Sequence, residues 1–147
     1  MDSYNTLGQW TGATPDGRFA QEHLSDSVAP SRYAQHKGAT ARHMSAARAI
    51  DAYHTTNGVT FNQRFGQSTV NTERDIQKWA DLVRTYMDAG GQQIQYLVLD
   101  SEELKDAQIH PDDYRDLLVR VGGYSAVFVD LTKELQDSII AREELSV

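Results

Sequence analysis

Among the 147 residues there is no cysteine. That absence excludes disulfides, thiolate metal sites and an iron–sulfur cluster held by cysteines of this chain. No apolar run approaches the roughly eighteen residues a membrane span needs. The N-terminus has no charged-then-apolar leader either, so a soluble, cytoplasmic chain with no membrane partner is expected. Lys and Arg number 14 against 21 Asp and Glu, for a formal net charge of −7. The basic residues form no dense patch, and nucleic acid is not an expected partner. His23, His36, His43, His54 and His110 are never spaced as two ligands on one helix face would be, so no metal site is expected. There is no Gly-rich loop running into Lys-Ser/Thr, and no nucleophile-elbow sequence. Glu102, Glu103, Asp112 and Asp113 read as solvated helix starts.

What is present is one domain's worth of chain. Its most informative stretch is Leu117-Leu118-Val119-Arg120-Val121-Gly122-Gly123-Tyr124-Ser125-Ala126-Val127-Phe128-Val129. A short apolar run rich in Val and Phe predicts a buried strand. Two adjacent glycines at its centre weaken it by about 0.5–1 kcal/mol each relative to Ala, and they mark a strand–loop–strand corner or a close backbone approach.

The rest of the chain reads as follows. Residues 1–38 carry no helical or strand period and form a loop-rich docking segment; residues 39–147 form an α/β part. Thr14-Pro15-Asp16-Gly17 is a turn sequence. Ala39 to Ala52 favours helix by composition, and so much Ala suggests close packing against a partner as well as its own core. Asn57-Gly58 signals a hairpin turn, and Val59, Phe61 and Phe65 predict a strand over 59–65, with Gln63 the polar exception. Asn71 and Thr72 are candidate N-caps, with Asp75 as capping-box partner. Ile76, Trp79, Ala80, Val83, Tyr86 and Met87 then predict an amphipathic helix that ends at Gly90-Gly91. Ile94 to Leu99 predicts a strand buried on both faces. Ser101-Glu102-Glu103 opens a helix with acid at its positive end. Pro111 interrupts, and a short turn over Asp112–Asp116 leads into the glycine run. Thr132 caps a last helix burying Leu135, Ile139 and Ile140.

Arg120-Val121-Gly122-Gly123-Tyr124-Ser125-Ala126-Val127-Phe128 resembles the glycyl-radical signature, Arg-Val-x-Gly-Tyr followed by small residues and Phe. Leu131-Thr132-Lys133-Glu134-Leu135-Gln136-Asp137-Ser138-Ile139-Ile140-Ala141-Arg142 is similar to the helix that closes glycyl radical enzymes. Gly12-Ala13-Thr14-Pro15-Asp16-Gly17-Arg18 resembles a segment of their dehydratase and choline lyase branch. Leu97, Gly122 and Glu143 depart from the residues usual in the family.

The resemblance implies an α/β fold: the C-terminal portion of a ten-stranded α/β barrel, with the glycine loop between strands and a closing C-terminal helix, as a single glycyl radical domain over residues 1–147. It implies that Gly123 carries the radical, with Arg120, Val121, Gly122, Tyr124, Ser125 and Phe128 as loop support. No bound cofactor is expected. A radical S-adenosylmethionine activating enzyme with an Fe–S cluster would install the radical, and a cysteine would then use it against substrate. Because this chain has no cysteine, the implied partner is a larger glycyl radical enzyme chain that carries one, served in trans by this chain as a split-enzyme small subunit or a replacement part. The implied chemistry is anaerobic, oxygen-sensitive lyase or dehydratase chemistry, inactive without the partner. A non-catalytic module docking on the activating enzyme or the barrel is the alternative. Such a radical must be kept from oxygen and solvent, so the loop is expected inside a larger body.

Overall fold

A computed structural model describes residues 3–31, 37–51, 53–142 and 144–145. The elements run α1 (Ser3–Gln9), α2 (Gly38–Ala49), β1 (Asn62–Phe65), α3 (Glu73–Asp88), β2 (Gln95–Val98), α4 (Ser101–Ile109), β3 (Leu118–Arg120), β4 (Ser125–Val127), α5 (Lys133–Ile140) and β5 (Glu144–Leu145). They form two compact units: Met1–Phe61 with Leu82–Ile94, and Asn62–Asp81 with Gln95–Val147. The division falls inside α3.

In the first unit, α1 stands where no helix is expected; its seven residues, SYNTLGQ, are too few to display a period. The Thr14–Gly17 turn forms as read, with the Gly17 N–H donating to the Thr14 carbonyl at 3.2 Å. Arg18, nearly buried, closes the segment by donating to the carbonyls of Phe19 (3.1 Å), Glu22 (2.8 Å) and Gly12. The predicted second helix ends at Ala49; Ala52, like His36 and Glu143, lies outside the described residues. Ala46 and Ala47 of α2 pack with Phe61 and Tyr86, under Val28, Ala29, Met44 and Ile94. Their small side chains let the helix approach the rings closely. The Asn57-Gly58 turn is present, the Gly58 N–H reaching the Thr55 carbonyl at 3.0 Å, but it makes no hairpin. The strand that follows starts at Asn62 and pairs in parallel.

His43 sits at the centre of this cluster at 0% exposure. Its Nδ1–H donates to the Ala39 carbonyl at 2.7 Å, and its ring meets those of Phe61 and Tyr86 edge-on. Burial is the main cause holding its pKa below the usual 6.5, with the Arg42 charge adding to it against the Ala39 bond. A depressed folded-state pKa means the unfolded chain takes up the proton first as pH falls. The stability from a neutral His43 is therefore present above 6.5 and lost as pH drops through that value toward the folded pKa. His43→Phe is expected to flatten this part of the pH profile, compared by thermal melts at about pH 8 and about pH 5.

α3 begins as read. Thr72 Oγ1 accepts the Asp75 N–H at 3.2 Å and donates to the Asp75 carboxylate at 2.6 Å, the main cause lowering that carboxyl's pKa. It also ends as read: Gly91 N–H reaches the Tyr86 carbonyl and Gly90 N–H the Met87 carbonyl, both at 3.0 Å, with Gly90 at φ +100°. That is the Schellman pattern. The expected stripe is only partly inside: Tyr86 is buried, Trp79, Ala80 and Val83 are half-buried, and Ile76 and Met87 are exposed, while the buried Leu82 lies outside the expected stripe.

In the second unit, β1 is the middle of a parallel sheet ordered β2-β1-β5. All four residues of β1 are buried, although three of them are Asn, Gln and Arg. The expectation for Ile94–Leu99 is corrected: β2 is an outer strand of the described sheet and only half-buried. The glycine run forms the expected strand–loop–strand corner, an antiparallel hairpin of β3 and β4, but its strands are only partly buried. Val119 points into the core, and its neighbour Leu118 is 61% exposed, as the period-2 alternation of a one-sided hairpin requires. The core joins Val119, Val121 and Phe128 to Leu104 and Ala107 of α4 and Ile139 of α5. Leu135 and Ile140 pack at its edge, half-buried rather than buried. The turn after α4 is a 3₁₀ turn over Pro111–Tyr114.

Candidate functional site

The two hairpin strands stop at Arg120 and Ser125, leaving Val121, Gly122, Gly123 and Tyr124 as the connecting loop. The Val121 N–H closes it on the Tyr124 carbonyl at 3.0 Å. Val121 is fully buried and roots the loop in the core. Gly122 is half-buried, Gly123 is exposed and Tyr124 is 41% exposed. Among the described residues of the second unit the loop apex is therefore open, and this unit does not supply the enclosure expected for it.

Four consecutive carbonyls, from Arg120 at the end of β3 to Gly123 in the loop, are each taken by a side-chain donor. Arg142 donates through Nη1 to the Arg120 carbonyl at 2.6 Å and through Nη2 to the Val121 carbonyl. Asn62 Nδ2 donates to the Gly122 carbonyl at 2.9 Å. Arg120 Nη2 donates to the Gly123 carbonyl at 2.9 Å, while its Nη1 reaches Ser125 Oγ at 3.3 Å. Hydrogen bonds from charged donors contribute about 1.5–3 kcal/mol each, so the loop is held although its apex is open. Phe128 supports it from below: its N–H donates to the Leu117 carbonyl at 2.8 Å and its carbonyl accepts from Gln136 at 3.0 Å.

Behind Arg142 stands Arg64, 3% exposed in the middle of β1. Its Nη2 donates to Ser101 Oγ (2.9 Å), to the Ile140 carbonyl (3.3 Å) and to the Arg142 carbonyl. Arg64 thus fixes the backbone whose side chain grips the loop.

The structure brings Arg120, Val121, Gly122, Gly123, Tyr124 and Ser125 to one loop with Phe128 beneath. It adds Asn62, Arg64 and Arg142, which sequence reading missed. The available signal was the polar triplet Asn62-Gln63-Arg64 inside a predicted strand, where burial demands hydrogen-bond partners. Among the described residues, no group of three or more His, Asp or Glu is placed to hold a metal ion, and no helix is long and apolar enough to cross a membrane.

Gly123 is a glycine without a conformational reason to be one. Its φ lies outside the left-handed region, and a Cβ built there meets nothing within 4 Å. Gly91 is the opposite case, since a Cβ there would land on the Tyr86 ring.

Residues 24–129 match the family described as "Glycine radical". This chain belongs to the glycine radical family. It is 41% identical over 138 residues to trans-4-hydroxy-L-proline dehydratase of Clostridioides difficile, covering 94% of this chain and 17% of that protein. It is 44% identical over 139 residues to a probable dehydratase, YbiW, of Escherichia coli strain K12, with the same coverages of 94% and 17%. The glycerol-bound form of the B12-independent glycerol dehydratase from Clostridium butyricum superposes with a TM-score of 0.93 at 40% identity, over 98% of this chain and 18% of that one. This glycine radical chain thus has the α/β fold of a segment of such enzymes and spans less than a fifth of the length of each.

Proposed function

We propose that Gly123 stores a carbon-centred radical for lyase or dehydratase chemistry carried out with polypeptide outside these 147 residues. The observation that carries this reading is the glycine with no steric or backbone requirement to be one, in a loop otherwise pinned at every carbonyl. A main-chain radical flattens its α-carbon and spreads onto the amide nitrogen and the carbonyl. A side chain would crowd that planar centre, and glycine has none. The requirement is chemical, so it leaves no trace in packing.

A radical S-adenosylmethionine activating enzyme, whose iron–sulfur cluster would pass one electron from an external reductant to S-adenosylmethionine and release methionine, would supply a 5′-deoxyadenosyl radical that removes one hydrogen atom from the Gly123 α-carbon. The products are 5′-deoxyadenosine and the glycyl radical. That radical then takes the hydrogen atom of a cysteine S–H, restoring glycine and leaving a thiyl for substrate. With no cysteine present, the thiol comes from elsewhere: a larger glycyl radical enzyme barrel that this chain completes at its C-terminal end, serving it in trans as small subunit or replacement part. The exposure of Gly123 suits approach by the activating enzyme and by the thiol in turn.

Activation followed by air tests the reading. Under anaerobic conditions with activating enzyme, S-adenosylmethionine, reductant and barrel partner, the chain is expected to show a glycine-centred doublet by electron paramagnetic resonance. Air is then expected to cut the chain at Gly123, and mass spectrometry should find a fragment beginning at Tyr124. Stable binding to the barrel with neither doublet nor cleavage would overturn the reading in favour of a docking module.

A further inference from the structure

The Gly123 α-carbon lies between two peptide planes, and the carbonyl of each is held by a different kind of donor. On the preceding side, Asn62 reaches the Gly122 carbonyl from the central strand of the second unit, 60 residues earlier in the chain. On the following side, the Arg120 guanidinium reaches the Gly123 carbonyl from the hairpin itself. The first donor is a neutral carboxamide and the second a cation.

That asymmetry matches what a radical at this carbon needs. The radical draws on the lone pair of the Gly123 amide nitrogen and passes spin to the Gly123 carbonyl. A cation on the Gly123 carbonyl favours the second of these. A cation on the Gly122 carbonyl would oppose the first, because it would pull the same lone pair into the Gly122 amide. Hydrogen bonds to charged donors are roughly twice as strong as neutral ones, so the distinction has consequences. A neutral donor still fixes the plane of the peptide. Asn62 is only 7% exposed, in a strand buried along all four residues, so the donor is held in place.

We propose that Asn62 is a positioning residue of the radical site, fixing the Gly122–Gly123 peptide plane without withdrawing the lone pair that steadies a radical at Gly123. This rests on the assignment of the radical to Gly123.

The test uses the full chain, activated anaerobically as above, in four forms: wild type, Asn62→Leu, Asn62→Asp and Gln63→Leu. Asn62→Leu removes the donor at similar volume. Asn62→Asp keeps the shape and turns a donor into an acceptor. Gln63→Leu is the control for disturbing the same buried strand, since Gln63 donates to the Asn62 carbonyl and not to the loop. Both Asn62 variants are expected to shorten the anaerobic lifetime of the doublet about fivefold, the factor matching one net hydrogen bond, and to change its hydrogen splitting. Gln63→Leu is expected to keep the wild-type splitting. With glycine labelled at the carbonyl carbon, the Gly122 resonance of the unactivated chain should move in both Asn62 variants while Gly123 stays; this readout needs no radical. Wild-type splitting and lifetime in the folded Asn62 variants, or the same change in Gln63→Leu, would overturn the role of Asn62 and leave the Gly123 radical standing. If Asn62→Leu does not fold, Asn62→Asp decides alone, and an unmoved Gly122 resonance in it is equally fatal. A wild-type chain with no doublet overturns both assignments.

Discussion

Gly123→Ala is expected to abolish the glycyl doublet entirely and leave the fold untouched. The two halves of this outcome come from different parts of the structure. A methyl group at this position meets nothing within 4 Å, and the backbone is not left-handed. By removing chain entropy from the unfolded state, the substitution should stabilise the chain by about 0.4–1 kcal/mol. The radical, by contrast, loses the one feature that allowed a flat, uncrowded centre. Thermal melts and paramagnetic resonance on the same preparation read both effects, and Gly122→Ala should leave the doublet in place. A doublet surviving in Gly123→Ala, or lost equally in both variants, would remove the assignment to Gly123. Few substitutions separate fold from chemistry so cleanly, and here the separation follows from an empty space.

The largest expected loss of stability belongs to Arg64→Ala. Its guanidinium holds Ser101 Oγ and the carbonyls of Ile140 and Arg142 from inside β1. Deleting it leaves those acceptors short of a donor and opens a cavity beside the core. A loss of about 3 kcal/mol or more is expected, which for a chain of this size lowers the melting temperature by about 6 °C or more. The disturbance should also reach the glycine loop, because the Arg142 backbone loosens and its side chain grips the Arg120 and Val121 carbonyls. Faster amide exchange at Val121 is the sign of that transmission. Normal exchange at Val121 in a destabilised Arg64→Ala chain would show that Arg142 holds the loop without help from Arg64.

Local chemistry made the helix ends and turns readable. Thr72 with Asp75, Gly90-Gly91 and Thr14 to Gly17 each act within a few residues, and each formed as its sequence implies. The glycine hairpin was visible as a run with a break, although its exposed face was not. What stayed hidden was long-range. Asn62, Arg64 and Arg142 find their acceptors 60, 78 and 22 residues away, and no window of sequence shows such a pair. Three of the four residues of β1 are polar, yet it is the most buried strand: Asn62 reaches the glycine loop, and Arg64 reaches α4 and the end of α5. A two-residue strand such as β5 and a seven-residue helix such as α1 are too short to show a period at all. Ile76 and Met87 show the converse: helical spacing fixes a face without saying that the whole face is covered.

The parallel arrangement of β1 has a consequence for the order in which the molecule can be made. Leaving the ribosome, β1 must first wait for β2, and then for β5, which pairs with Arg64 and Phe65 only after every other described element has been synthesised. Until then the guanidinium of Arg64 has no Arg142 backbone to bind, and Arg142 is not there to shape the glycine turn. Such distant pairings close slowly. The site destined to hold an unpaired electron is therefore among the last parts of the nascent chain to acquire its native geometry, after the apolar core beneath it can already have gathered.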